Sequence, residues 1–363
     1  MMGGIISNNA SGMCCGVAQN SYHTLKHIRF MLPDGRVYDT RISGEEEKFE
    51  KECPELATVL KTRKQQIMAD EKLLHTIRHK YQIKNTVGYA LNAFVDYGTP
   101  LSIFAHLLVG AEGTLAFISE AELETVPDYP FKATGLLFFD DIFAACKAIQ
   151  PFSELGARAI ELMDRSALRS VEHIAGIPAI IQTLPPSAAA LLIEFQGESE
   201  MDVATQLIKV PYLFPHLALL EQPVFSQDPA VQALYWKVRK GLFPSVGAVR
   251  ASGTTVILED VAVPVAHLGN AISDLQGLFL QYGYPNAIIF GHARDGNIHF
   301  VVTQAFDTEK EIERYDRFIR DVVNIIVNKY NGSLKAEHGT GRNMAPFVKN
   351  RMGRRPVPDY ERN

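Results

Sequence analysis

Apolar residues in the stretch 309–330 fall at Ile312, Tyr315, Phe318, Ile319, Val322, Val323 and Ile326. That three- and four-residue spacing predicts a helix with one buried side. Residues 229–243 read the same way, as does the segment from Asp141 to Leu155. Other stretches are short and almost continuously apolar: Gly135–Phe139, Ala157–Met163, Ala189–Gln196, Thr254–Val261, Ala287–Phe290 and Ile298–Val302. These read as buried strands. Strands and helices at this spacing suggest an α+β domain, an antiparallel sheet with helices on one face.

The first third is patterned differently. His27–Leu32 and Arg36–Thr40 alternate apolar and polar positions around Pro33-Asp34-Gly35, the mark of a hairpin. Residues 44–84 are charged and helical in pattern, with Pro54 interrupting. Their basic clusters, Lys61-Thr62-Arg63-Lys64 and Arg78-His79-Lys80, read as a solvated face. The run from Leu107 to Ile118 reads as strand, glycine-rich turn, strand. Pro127-Asp128-Tyr129-Pro130 reads as a linker, so a boundary falls there.

Composition removes several classes. A chain of 363 residues with 47% hydrophobic positions can bury one or two ordinary cores. The net charge of −5 and the lack of a long basic stretch argue against nucleic acid as a partner. No apolar run approaches the roughly 20 residues of a membrane span, and Met1-Met2-Gly3-Gly4 lacks the features of a signal peptide. Cys14, Cys15, Cys53 and Cys146 form no Cys-x-x-Cys, so no iron–sulfur or zinc-ribbon site is visible; their scatter suits a reducing cytoplasm.

The candidate chemistry sits in two motifs. Gly291-His292-Ala293-Arg294-Asp295-Gly296-Asn297-Ile298-His299 places two histidines on strands joined by an Asp-Gly turn, which would bring the imidazoles together. Glu337-His338-Gly339-Thr340-Gly341 adds a carboxylate and a third imidazole. His292, His299 and Glu337 suit a divalent metal: zinc first, with manganese and iron as alternatives; two surface histidines beside a turn are the other reading of the pair. His338 is left to move a proton. Because Glu337 and His338 are neighbours, both can serve one site only if the backbone bends, which Gly339 and Gly341 permit.

The small-residue run from Gly3 to Gly12, with Gly4, Asn8, Asn9, Ser11 and Gly12, would let a large flat or phosphorylated ligand approach the backbone. A plain flexible N-terminus is the alternative.

The two histidine motifs resemble the C-terminal part of the FAD-linked 2-hydroxy-acid dehydrogenases, the family of D-lactate and D-2-hydroxyglutarate dehydrogenases. Those proteins carry Gly-His…Asp-Gly-Asn-x-His and Glu-His-Gly-x-Gly. The N-terminal run, continued by Met13-Cys14-Cys15-Gly16, is similar to the family's flavin-contacting loop, most closely in long bacterial members with a downstream iron–sulfur region. Gly110-Ala111-Glu112-Gly113-Thr114-Leu115-Ala116 resembles the Gly-Ser-Glu-Gly-Thr-Leu-Gly segment beside the flavin nucleotide, with Ala111 and Ala116 as departures. The resemblance implies FAD contacts at Gly4, Asn8, Asn9, Ser11, Gly12, Gly110, Glu112, Gly113, Thr114 and Ile118. It also implies a substrate-binding arginine near Arg239. Arg250 is the second candidate, since a guanidinium meets a carboxylate bidentately; a surface arginine is the alternative for each. Some D-2-hydroxyglutarate dehydrogenases have a substrate-binding lysine near Leu258, which this chain lacks.

The expected fold is therefore the C-terminal half of a vanillyl-alcohol-oxidase/PCMH-type FAD-binding domain, residues 1–128 with the charged insertion 44–84. An FAD-linked oxidase C-terminal cap domain follows over 129–349, then an unmatched tail over 350–363. The family's flavin domain begins further upstream, so the chain reads as a fragment.

The expected function is oxidation of a D-2-hydroxy acid by FAD, with metal assistance and His338 as base. Electrons would pass to a quinone, a cytochrome, an electron-transfer protein or a fused iron–sulfur region. The expected location is cytoplasmic, with membrane association only through that acceptor. A non-catalytic fragment or metal-binding cap domain is the alternative, and a flavin oxidase of another alcohol is a third reading.

Overall fold

The computed structural model describes residues 2–351. Two compact units divide the chain: residues up to Val126 together with those from Asn331 onward, and Pro127–Tyr330. The break at Pro127 lies at the linker. The segment from Asn331 falls in the first unit, whereas the sequence grouped it with 129–349. Thr86 N–H donates to Lys335 O at 2.9 Å and Lys80 Nζ to Gly332 O at 2.8 Å, and these bonds hold it there.

In the first unit, α1 (Met2–Ser7) precedes β1 (Leu25–Met31) and β2 (Val37–Asp39). The hairpin registers Phe30 opposite Tyr38. Helices α2 (Glu45–Glu52), α3 (Pro54–Ala69) and α4 (Glu71–Lys80) follow, with Pro54 at the first turn of α3, where its missing N–H costs nothing. The rings of Phe30, Tyr38, Phe49 and Phe104 pack 5.0–5.8 Å apart between this hairpin and the helices. Lys80 departs from the expected solvated face: it is 1% exposed.

A second correction concerns Leu107–Val109. They do not form a strand; α5 (Pro100–Leu107) occupies that place, started by a Thr99/Ser102 capping box and Pro100. Its core residues are buried on all sides, which erases the periodicity that marks a helix. Only β3 (Phe117–Leu123) remains as strand, antiparallel to β1.

The second unit is a seven-stranded antiparallel sheet built on β4 (Phe131–Phe139), β5 (Ala159–Asp164), β6 (Ala189–Gly197), β7 (Phe225–Ser226), β8 (Thr254–Ala262), β9 (Ile288–His292) and β10 (Asn297–Ala305), in the order β7-β4-β6-β5-β9-β10-β8. Its longer helices include α6 (Ile142–Glu154), α7 (Arg165–Val171), α8 (Pro229–Val249), α9 (Leu268–Tyr282) and α10 (Glu309–Val323).

The helices cover both faces rather than one. On one face Phe152 of α6 meets Phe195, and Phe279 of α9 and Phe318 of α10 meet Phe300. On the other, Ala167, Leu168 and Val171 of α7 and Val238, Leu242 and Val246 of α8 pack on Met163, Leu192, Phe290 and Val301. Every residue of β5 is buried, as a strand covered on both sides requires.

Helix α8 also runs past the expected end at 243, through Pro244. Next to the proline, the Ser245 hydroxyl donates to Leu242 O and to the Ser170 hydroxyl. The helical pattern expected over 309–330 ends in a wider π-turn, Asn324–Lys329. Among the described residues no helix is long and apolar enough to cross a membrane.

Asp164 caps α7 by accepting from Ala167 N–H at 2.7 Å. Burial pushes its carboxyl up to about 6 from 3.8. Between those values the folded chain holds a proton that the unfolded chain has released, so stability falls as pH rises through this window. Asp164→Asn keeps the cap and removes the charge, with Gln276 turning its amide to accept. It should raise unfolding stability at pH 8 by roughly 1–3 kcal/mol and flatten the pH dependence between 4 and 6. Denaturant titrations at pH 4, 6 and 8 check this; a less stable variant at pH 8 contradicts it.

Candidate active site

The second unit places four ionisable side chains on the sheet face under α7 and α8 and adds a fifth from α8. Antiparallel register puts Glu161 opposite His292, Met163 opposite Phe290, Phe290 opposite His299, and His299 opposite Asp260. Residues opposite one another share a face, so Glu161, His292, His299 and Asp260 all project toward α8, which contributes Arg239. The turn between β9 and β10 is tight. Gly296 sits at φ +64°, and a Cβ there would collide with Val263 O.

His292 and His299 approach with Nε2 atoms 3.3 Å apart and rings nearly perpendicular, at 84°. The Nδ1 of His292 donates to the Glu161 carboxylate at 2.8 Å. The Nδ1 of His299 lies 3.5 Å from Asp260 Oδ1, and that oxygen also accepts from Asn297 Nδ2 at 2.8 Å. A carboxylate on Nδ1 puts the proton there and leaves the Nε2 lone pair exposed. Both rings thus aim Nε2 at one place.

Two zinc–nitrogen bonds of about 2.0–2.1 Å at a tetrahedral angle separate their nitrogens by about 3.3–3.4 Å. The donor types and the 3.3 Å spacing fit a divalent metal.

Glu161 is fully buried and has two hydrogen-bond donors, Arg239 and His292. Arg239 Nε donates to it at 2.8 Å, and the Arg239 guanidinium lies 4.6 Å from the centre of the Phe290 ring. Burial, the largest influence, works to raise the Glu161 carboxyl; His292 and Arg239 together outweigh it and hold the group below its ordinary range. Arg239, expected as a substrate clamp, is therefore anchored by a carboxylate. Arg250 does not join this cluster. It is exposed and lines a groove with Ser166, Arg169, Ser170 and Thr303.

The first unit gathers the other motif. Gly339 and Gly341 take φ +74° and +62°, and the bend they make buries Glu337 while leaving the His338 side chain 40% exposed. His338 Nε2 stands 3.8 Å from Glu337 Oε1. Lys84 Nζ meets Glu337 Oε2 at 2.7 Å, and the Ser11 hydroxyl donates to the same oxygen at 3.2 Å. Gly339 N–H donates to Thr86 Oγ1, Gly88 N–H to Thr340 Oγ1, and Gly341 N–H to Glu112 Oε1.

The expected flavin loops meet in the same unit: Gly110 N–H donates to Ile6 O and Glu112 N–H to Ser7 O. Asn9 is buried and its Oδ1 accepts from Tyr22 N–H; Asn8 lies beside Gly339. Thr114 donates to Ala111 O, and Ile118 belongs to β3. Gly4 and Gly113 have open space where a side chain would be, and Gly12 has only Cys15 Sγ nearby. Such a small-residue rim fits close approach of a nucleotide cofactor.

Two further participants carry a signal in the sequence, and a third carries none. Glu161 interrupts Ala159-Ile160-Glu161-Leu162-Met163, and Asp260 interrupts another apolar strand. A charge within a buried strand needs a partner and marks a site. Lys84 has no such context, since its partner is 253 residues away.

Comparison with known proteins places this geometry. The model of the family "FAD linked oxidases, C-terminal domain" matches residues 130–358, reaching into the stretch read as an unmatched tail, of which 352–363 lie outside the described residues. The chain is 28% identical over 249 residues to the glycolate oxidase subunit GlcD of Bacillus subtilis (strain 168), covering 68% of this chain and 50% of that protein. It is 27% identical over 282 residues to the D-2-hydroxyglutarate dehydrogenase of Stutzerimonas stutzeri (strain A1501), covering 74% and 54%. The chain thus spans about half the length of the curated relatives it matches. In fold it is similar to p-cresol methylhydroxylase with substrate bound, at a TM-score of 0.52 and 12% identity over 92% of this chain and 63% of that one. With its antiparallel sheet, paired histidines and a family match over most of its length, this chain belongs to the FAD-linked oxidases.

Proposed function

We propose that this chain is part of an FAD-dependent oxidoreductase that oxidises a D-2-hydroxy acid to the 2-oxo acid. The observation that carries the reading is the pair of imidazoles at 3.3 Å, each with a carboxylate at Nδ1. The names of the relatives support the substrate class: glycolate oxidase subunit, D-2-hydroxyglutarate dehydrogenase and D-lactate dehydrogenase.

Oxidation beside a carboxylate requires loss of a hydroxyl proton and of a hydride. FAD would supply the hydride acceptor that no side chain can provide. A divalent metal held by His292, His299 and Glu337, zinc first and manganese or iron as alternatives, would supply Lewis acidity toward the hydroxyl.

The chain's own residues do the rest. Arg239 meets the substrate carboxylate with its terminal nitrogens, while Glu161 fixes its Nε. His338 takes the hydroxyl proton, a task suited to an imidazole near neutral pH. Glu161 and Asp260 hold the two metal-facing rings in one tautomer. The flavin contacts are Gly4, Asn8, Asn9, Ser11, Gly12, Gly110, Glu112, Gly113, Thr114 and Ile118. The scatter of the four cysteines, with no Cys-x-x-Cys, favours a cytoplasmic location. The electron acceptor is a quinone, a cytochrome, an electron-transfer protein or an iron–sulfur region of a longer parent.

In FAD-loaded protein, His338→Ala should lower turnover of D-lactate and D-2-hydroxyglutarate by a factor of about 100 or more, with the flavin band retained. Near-normal turnover removes His338 from the base role. Arg239→Ala should raise KM for either acid at least as strongly as it lowers kcat; an unchanged KM contradicts the clamp. Glu161→Ala strands the buried Arg239 and should cost roughly 3–5 kcal/mol in denaturant unfolding. A loss below about 1 kcal/mol would show that the pair is not a structural anchor.

A further inference from the structure

We infer that Lys84 is a positioning residue for Glu337, and that the same ammonium ties the Ser11–Gly12 loop to the Glu337–Gly341 segment. The inference rests on the proposed role of Glu337 as a metal ligand.

Lys84 and Glu337 form a buried ion pair at 2.7 Å, with side chains 1% and 4% exposed. A lysine in that setting is costly to bury, so the pair persists only where geometry and extra hydrogen bonds compensate. The compensation is visible. Lys84 Nζ also reaches Gly12 O at 3.4 Å, and Ser11 Oγ donates to the same carboxylate oxygen that Lys84 holds. One ammonium therefore contacts two segments that lie more than 300 residues apart in the chain, both identified above as site segments.

The contacts are specific in direction. Both Lys84 and Ser11 act on Glu337 Oε2. The other oxygen, Oε1, lies 3.8 Å from His338 Nε2. A carboxylate pinned through one oxygen presents the other in a single orientation, the arrangement in which partners behind a ligating group set its affinity. Four residues earlier, at the end of α4, Lys80 holds Gly332 O at 2.8 Å. The two buried lysines thus grip both ends of the 332–337 stretch, Lys80 through backbone and Lys84 through the side chain that carries the chemistry.

Removing the ammonium should let Glu337 rotate and uncouple Ser11–Gly12 from it. The test is zinc affinity of the full chain by competition with a chromophoric chelator, beside thermal melting. Lys84→Met should weaken zinc binding about 10–100-fold. Lys84→Gln, which keeps a donor for the carboxylate, covers the case in which the first variant does not fold, and should weaken binding about tenfold.

Glu337→Gln separates the layers. If it weakens zinc binding while both folded Lys84 variants bind like the unsubstituted chain, the positioning role is wrong and the metal reading stands. If Glu337→Gln binds zinc normally, or the unsubstituted chain binds none, the metal reading fails and this inference falls with it.

Discussion

A single buried carboxylate organises the second unit. Glu161 lies on a fully covered strand, where an isolated charge would be strongly penalised. It is tolerated because Arg239 arrives from α8 and His292 from the neighbouring strand, each within 2.8 Å. The consequences reach in both directions. Outward, the ion pair fixes where α8 crosses the sheet and seats the Arg239 guanidinium on Phe290. Inward, it sets the tautomer of His292 and turns Nε2 toward His299. The same side chain serves packing and chemistry, which is why a large-to-small change there should disturb both.

The first unit solves a related problem with hydrogen bonds between loops. Its glycine-rich segments have little side-chain bulk to pack, so backbone groups find partners in neighbouring segments. Thr86, Thr340 and Glu112 each accept from a backbone N–H of another segment. Gly339 is needed for more than its bend, because a Cβ there would strike the Glu112 carboxylate. The Glu-His-Gly-x-Gly spacing thus has a local physical cause: one residue turned in, the next turned out, and glycine where the chain passes closest to its neighbour.

Much of this was legible in the sequence. The histidine hairpin, the hairpin at Pro33–Gly35, the linker near Pro127 and most strands of the large sheet follow from apolar patterning and turn residues. The failures share a cause. Where an element is buried on every side, periodicity vanishes. Leu107–Val109 therefore looked like a strand although they are the end of a helix and the turn after it, and the largely apolar β5 and β6 did not disclose that helices cover both faces. Long-range pairing was the other gap. Lys80 read as part of a solvated face and Lys84 gave no signal, because their partners, Gly332 and Glu337, are about 250 residues away. Glu161 could have been found from sequence, since a lone charge inside an apolar strand demands an explanation.

The chemistry of the site turns on whether His292 and His299 are metal ligands. X-ray absorption at the zinc edge, on the full chain loaded with one equivalent of zinc, addresses that directly. Two imidazole nitrogens at about 2.0–2.1 Å in the first coordination shell are the expected result. A shell of oxygen alone, with no imidazole scattering, would contradict it and leave the two rings as a buried hydrogen-bonded pair.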